Sequence, residues 1–149
     1  MKILKRFLLF LTLLIALIWL YTNSLIGVNK IAKDYLKELK IELKNDGLNP
    51  NIFVISGRRW KLDNYILTKI SGAASKSQHL HGNAIDIIVL DVNRDGKIDK
   101  KDVNLVYAKL DKVIIKNNGG LGTYKKESGF FNRQMIHFDC RGKRSRWNR

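Results

Sequence analysis

Residues 77–90 read SQHLHGNAIDIIVL. The first part is small and polar, carries Gly82, and reads as a loop. Ala84–Leu90 (AIDIIVL) is dense in β-branched residues and reads as a strand. Upstream, Asn51–Ser56 (NIFVIS) is a second strand signal, preceded by Pro50, the only proline. Before it, Ile31, Tyr35, Leu36, Leu39 and Leu43 recur at helical spacing within Asn29–Asp46, and Gly47 supplies a stop. A short helix is expected over Tyr65–Ile70, followed by the loop SGAASKSQ. Downstream, Asp99–Lys116 reads as a helix with Asp99 as N-cap. Val103, Val106, Tyr107, Leu110, Val113 and Ile114 form one face of it. Gly119–Gly120 ends that helix, and Leu121–Tyr124 and Met135–Cys140 read as short strands. The tail RGKRSRWNR is basic, and no internal repeat is present. The pattern predicts an α+β domain, a small, mostly antiparallel sheet packed by helices on one face.

The chain has 149 residues and a formal charge of +15. That length suits one compact domain, and that charge asks for an anionic partner: nucleic acid, a membrane face or a cell-wall polymer. One cysteine, Cys140, excludes an intrachain disulfide and a cysteine-based metal site. Lys2, Lys5 and Arg6 precede the apolar run Phe7–Tyr21, the order of a signal segment. The run is short of the ~20 residues that span a bilayer. Leu25–Val28 extends it, and no small-residue cleavage site follows. Residues 1–28 are therefore expected to be an uncleaved membrane anchor with its basic end in the cytoplasm, the alternative being a cleaved signal peptide. Residues 29–149 would face the periplasm or cell exterior, where nucleic acid is not the expected partner.

His79 and Asp86 stand seven positions apart. Two ligands on one helix face need three or four, so this spacing suits a ligand on a loop and one on the next strand. In Met135–Cys140, period-two alternation puts Ile136 and Phe138 towards the core and His137 with Asp139 on the other face. Two imidazoles and one carboxylate would leave a zinc ion near +1, with a fourth position open to water. Zinc brings the pKa of such a water towards ~7 and polarises a carbonyl. The same residues also fit a plainer reading, in which each histidine is merely packed and hydrogen-bonded.

SQHLHGNAID resembles the S-x-H-x-x-G-x-A-x-D signature of the zinc D-alanyl-D-alanine peptidase superfamily, which includes phage L-alanyl-D-glutamate endolysins and hedgehog domains. Ser56–Arg59 (SGRR) resembles its upstream S-G-Y-R element, and Ser71–Ala73 (SGA) its Gly-Ala element. Gly120–Tyr124 (GLGTY) followed by IHFD resembles the G-x-G-x-Y and x-H-x-D elements of the small bacterial and phage branch. The resemblance covers roughly Asn51–Trp147. It implies a hedgehog/DD-peptidase-like fold, with His79, Asp86 and His137 as zinc ligands and Arg59 and Ser77 against substrate. The implied substrate is the stem peptides or cross-links of peptidoglycan, cut as a carboxypeptidase or an endopeptidase would cut them.

Many members carry an acidic general base three residues before the last histidine, where this chain has Gln134. Asp139 is the expected base in its place, with Glu127 as runner-up; the alternative for Asp139 is a partner that orients a histidine. His81 and Cys140 are not expected to be ligands. Gln134 also keeps open a catalytically silent wall-binding module that retains the metal, and a metal nuclease is a distant third. Asp91–Asp102 (DVNRDGKIDKKD) follows a calcium-loop pattern, with Asp91, Asn93, Asp95, Lys97, Asp99 and Asp102 as ligand positions. The alternative is an acidic turn whose Asx hydrogen bonds cap the next helix.

Overall fold

The computed structural model describes residues 2–23, 25–71, 74–115, 118–124 and 134–148. In chain order the elements are α1 (Lys2–Asn23), α2 (Lys30–Asn45), β1 (Ile52–Ser56), α3 (Lys61–Ser71) and a 3-10 turn (Gln78–His81). Then follow β2 (Ala84–Val89), α4 (Lys100–Ile115), β3 (Gly120–Thr123), β4 (Met135–Asp139) and β5 (Ser145–Asn148). The strands form one sheet in the order β1-β2-β4-β3-β5. Every pairing is antiparallel except β3 with β5. The expected α+β architecture is the one observed.

Local chemistry sets the helix ends. The Asn29 side chain accepts from the Ile31 amide at 3.0 Å and starts α2. At its other end Gly47 takes φ +72°, and the Leu48 amide reaches back to the Leu43 carbonyl, a left-handed helix stop. Asp99 accepts from the Lys101 amide and caps α4 as expected. Ala32, Tyr35, Leu36, Leu39 and Leu43 of α2 are buried, whereas Ile31 is exposed. The expected stripe holds at Tyr35, Leu36, Leu39 and Leu43, and only its first position moves, from Ile31 to Ala32.

The core lies on one face of the sheet. Val54, Ile85, Ile87, Val89, Leu121, Ile136 and Phe138 meet Val103, Val106, Leu110 and Ile114 of α4 and the α2 stripe. The opposite face of the same strands carries Asp86, His137 and Asp139 beside the apolar Phe53, Ile88 and Met135. A register shift between Val54 and Ser56 brings Ser56 opposite Asp86 on that face.

Two elements differ from expectation. α3 begins at Lys61, ahead of Tyr65. The basic tail contains β5, a strand hydrogen-bonded to the distant β3. Among the described residues no helix is long and apolar enough to cross a membrane. Ile3, Leu4, Phe7, Leu9 and Leu17 of α1 are exposed rather than part of the core. Leu110→Ala, at a fully buried position, should cost about 3 kcal/mol of stability. The urea midpoint of unfolding measures this, and a loss below about 1 kcal/mol would contradict the packing described.

Candidate metal centre

His79 lies in the 3-10 turn, whose shape is fixed by its neighbours. Ser77 caps the turn by accepting from the His79 amide at 3.3 Å. Gly82 closes it at φ +70°, and a Cβ there would lie 2.2 Å from the Gly27 carbonyl oxygen. The Arg59 amide donates to the His79 carbonyl. Asp86 and His137 are direct partners across β2 and β4. Register alone therefore places these two side chains together on the face away from the core.

The three residues converge. Asp86 Oδ1 is 2.8 Å from His137 Nδ1, Asp86 Oδ2 is 3.1 Å from His79 Nε2, and the two ring nitrogens are 3.2 Å apart. All three residues are buried. Among the described residues they are the one group of three or more His, Cys, Asp or Glu side chains placed to share an ion. One ligand atom from each residue lies within 4.8 Å of the other two, a spread that a zinc-sized ion can draw together.

The far side of each ring is also occupied. His79 Nδ1 is 2.6 Å from the Gly57 carbonyl oxygen. His137 Nε2 is 3.0 Å from Asp139 Oδ2. These acceptors hold a proton on the outer nitrogen of each imidazole and turn the other lone pair inwards. Inward lone pairs beside a carboxylate need a cation or a proton between them. Burial disfavours the charged imidazolium of His137, but hydrogen bonds to Asp139 and Asp86 outweigh it and raise its pKa to about 9. Burial likewise pushes Asp86 upwards, yet the charge of His79 and the hydrogen bonds of both histidines hold it well below the usual carboxylate range.

Asp139 is fully buried. Its oxygens accept from the Gly120 amide, the Arg141 amide, and Arg141 Nε and NH2, besides His137. Burial raises its pKa, but His137 and Arg141 lower it further and keep it ionised. Of the two roles expected of Asp139, these contacts are those of a partner that orients a histidine. A carboxylate saturated with donors, facing the outer nitrogen of a histidine, accepts a proton poorly and orients the ring instead. Glu127 lies outside the described residues.

Other expected residues take different places. Arg59 donates from NH2 to Asp86 Oδ2 at 2.5 Å and from Nε to Ser56 Oγ at 2.8 Å. Ser77 is buried and committed to its cap. His81 is exposed. Cys140 is partly buried, donates to the Asn83 carbonyl and packs on the core. Gln134 is buried and donates to the Ile98 carbonyl, beside loop 91–102 rather than at the cluster. In that loop Asp91 accepts from Asp95 and Gly96, Asp95 from Lys97, and buried Asp102 from Val92, Asn93 and Asp99. Only the Asp95–Lys97 contact among these is an Asx turn. Those of Asp91 reach four or five residues along the loop, and those of Asp102 join its two ends and reach back to Asp99.

Sequence reasoning missed Arg141, hidden in the basic tail, and the purpose of the two glycines in GLGTY. A Cβ on Gly120 would lie 2.3 Å from Asp139 Oδ2, and one on Gly122 would lie 2.0 Å from Trp147 Cε2. Each glycine vacates space for a neighbour's side chain on the metal face.

Three convergent ligands with their outer atoms fixed are what a metal-dependent hydrolase needs. Residues 23–147 match the Peptidase_M15_2 family model, described as peptidoglycan L,D-endopeptidase MepK, and the chain belongs to that peptidase family. No curated protein matches the chain. Among solved structures, the crystal structure of Serratia marcescens L-Ala D-Glu endopeptidase ChiX aligns at 14% identity with a TM-score of 0.49, covering 81% of this chain and 86% of that one.

Asp139→Asn removes the charge behind His137 and its fork to Arg141. Zinc affinity, read by competition with a chromophoric chelator, should fall about 10–100-fold. Unchanged affinity would show that Asp139 does not orient a ligand.

Proposed function

We propose that this chain is a zinc-dependent endopeptidase acting on the peptides of peptidoglycan, with His79 Nε2, His137 Nδ1 and the Asp86 carboxylate holding the metal. The observation that carries this reading is the convergence of those three atoms, each imidazole fixed from behind by Gly57 or Asp139. Family membership supplies the substrate class. Two nitrogens and one carboxylate oxygen are a catalytic zinc donor set, with a position left for water or substrate.

Bound zinc would supply a water of lowered pKa and polarise the scissile carbonyl. The chain's own groups do the rest. Asp139, clamped by Arg141, holds the His137 ring so that Nδ1 faces inwards. Arg59 holds Asp86 through NH2 and Ser56 through Nε, and its NH1 would donate to a substrate carbonyl or carboxylate. With Asp139 assigned to orientation, Glu127 is the acidic residue left from the sequence reading to take the proton.

The charge of +15 suits an anionic wall polymer. Residues 1–28 are proposed to tether the domain at the outer side of the membrane, a reading that rests on their order of basic and apolar residues. Calcium on loop 91–102 rests on its sequence pattern.

Incubation of the full chain with purified muropeptides, followed by mass spectrometry, tests the function. Cleavage should occur, stop with a chelator, return with zinc, and be lost in His137→Ala. Binding of muropeptides with no cleavage under any zinc loading would establish the silent wall-binding module instead.

A further inference from the structure

The cross-strand row that carries the metal ligands does not stop at His137. It runs from Ser56 through Asp86 and His137 to Gly122 on β3 and Trp147 on β5. Partners opposite one another share a face of the sheet, so Trp147 belongs to the metal face. A Cβ on Gly122 would lie 2.0–2.3 Å from three atoms of the indole. The indole thus lies directly on the β3 backbone, where any other residue would carry a side chain. From there it reaches His137, with ring centroids 5.5 Å apart and planes tilted by 41°. Tyr124 meets the indole in a T-shaped contact, with ring centroids 5.2 Å apart.

The strand beneath this ring is fastened. Arg146, the neighbour on the opposite face, donates to Asp111 Oδ1 at 2.6 Å and to the Gly119 carbonyl at 2.7 Å. Trp147 itself is partly exposed. The result is a rigid aromatic surface at the end of the ligand row, on the side of His137 away from Asp86. Binding clefts are typically walled by such surfaces, with a few polar groups fixing orientation.

We propose that Trp147 is the wall of the substrate cleft. Its indole face would pack against the alkyl portion of the peptide residue next to the scissile bond. Peptidoglycan peptides offer methyl groups and short aliphatic chains, and aromatic surface takes up such groups at low entropic cost. This inference rests on the peptidase reading and adds a residue that determines how substrate is held.

Trp147→Ala and Trp147→Phe are compared in the full, zinc-loaded chain. The alanine variant should raise KM for a stem-peptide muropeptide about 10-fold, the scale of one aromatic contact. Its kcat and zinc affinity should stay near wild type, and phenylalanine should restore most of the loss. Trp147→Leu, which keeps apolar bulk over Gly122 without the flat face, replaces the alanine variant if that does not fold. A wild-type KM in the alanine or leucine variant overturns the proposal. So does lost zinc affinity with an unchanged KM at saturating zinc, which would make Trp147 a shield for His137. The same ratio is read as Kd by calorimetry, which needs no turnover. A wild-type chain that binds but never cleaves therefore counts against the peptidase reading, while the Kd ratio still decides this one.

Discussion

Taking a carboxylate out of water costs several kcal/mol unless charged or hydrogen-bonding partners replace the solvent. Asp86 is almost wholly buried in the middle of the sheet, and the site is arranged around that cost. His79, His137 and Arg59 surround its two oxygens. Each partner is itself held: His79 by the Gly57 carbonyl, His137 by Asp139, Arg59 by Ser56. Asp139 repeats the problem one layer out, and Arg141 with the Gly120 amide answers it. Removing a member of this chain leaves a buried charge without its counterpart, so the polar cluster acts as a unit.

The sheet register makes that unit possible. Asp86 and His137 are directly opposite in an antiparallel pair, and a shift of one residue would send both into the core. Ile85, Ile87, Ile136 and Phe138, all fully buried on the other face, oppose such a shift. Packing on one side of the sheet therefore sets the geometry on the other. The glycines of β3 complete the arrangement by leaving room for Asp139 and Trp147.

Much of this is written in local sequence. Alternation in Met135–Asp139 assigns the two faces of β4, and the apolar stripe of α4 fixes its buried side. The spacing of His79 and Asp86 suggests a turn and a strand. What stays hidden depends on distant partners. β5 looks like a basic tail because its strand character comes from pairing with β3, not from its own alternation. Arg141 looks like another tail charge until it meets Asp139. Alternation puts Asp139 beside His137 but does not say which ring nitrogen it faces, and that detail separates orienting a ligand from accepting a proton. The loop Asp91–Asp102 carries acidic residues at spacings that serve an ion or a set of backbone amides equally well.

The central claim is that one zinc ion sits among His79 Nε2, His137 Nδ1 and the Asp86 carboxylate. Anomalous scattering from crystals of the zinc-loaded chain, recorded on both sides of the zinc edge, tests it most directly. A single strong peak is expected within bonding distance of those three atoms, with His137 Nε2 still on Asp139. A peak elsewhere, ligation through His137 Nε2, or no peak at saturating zinc would contradict it.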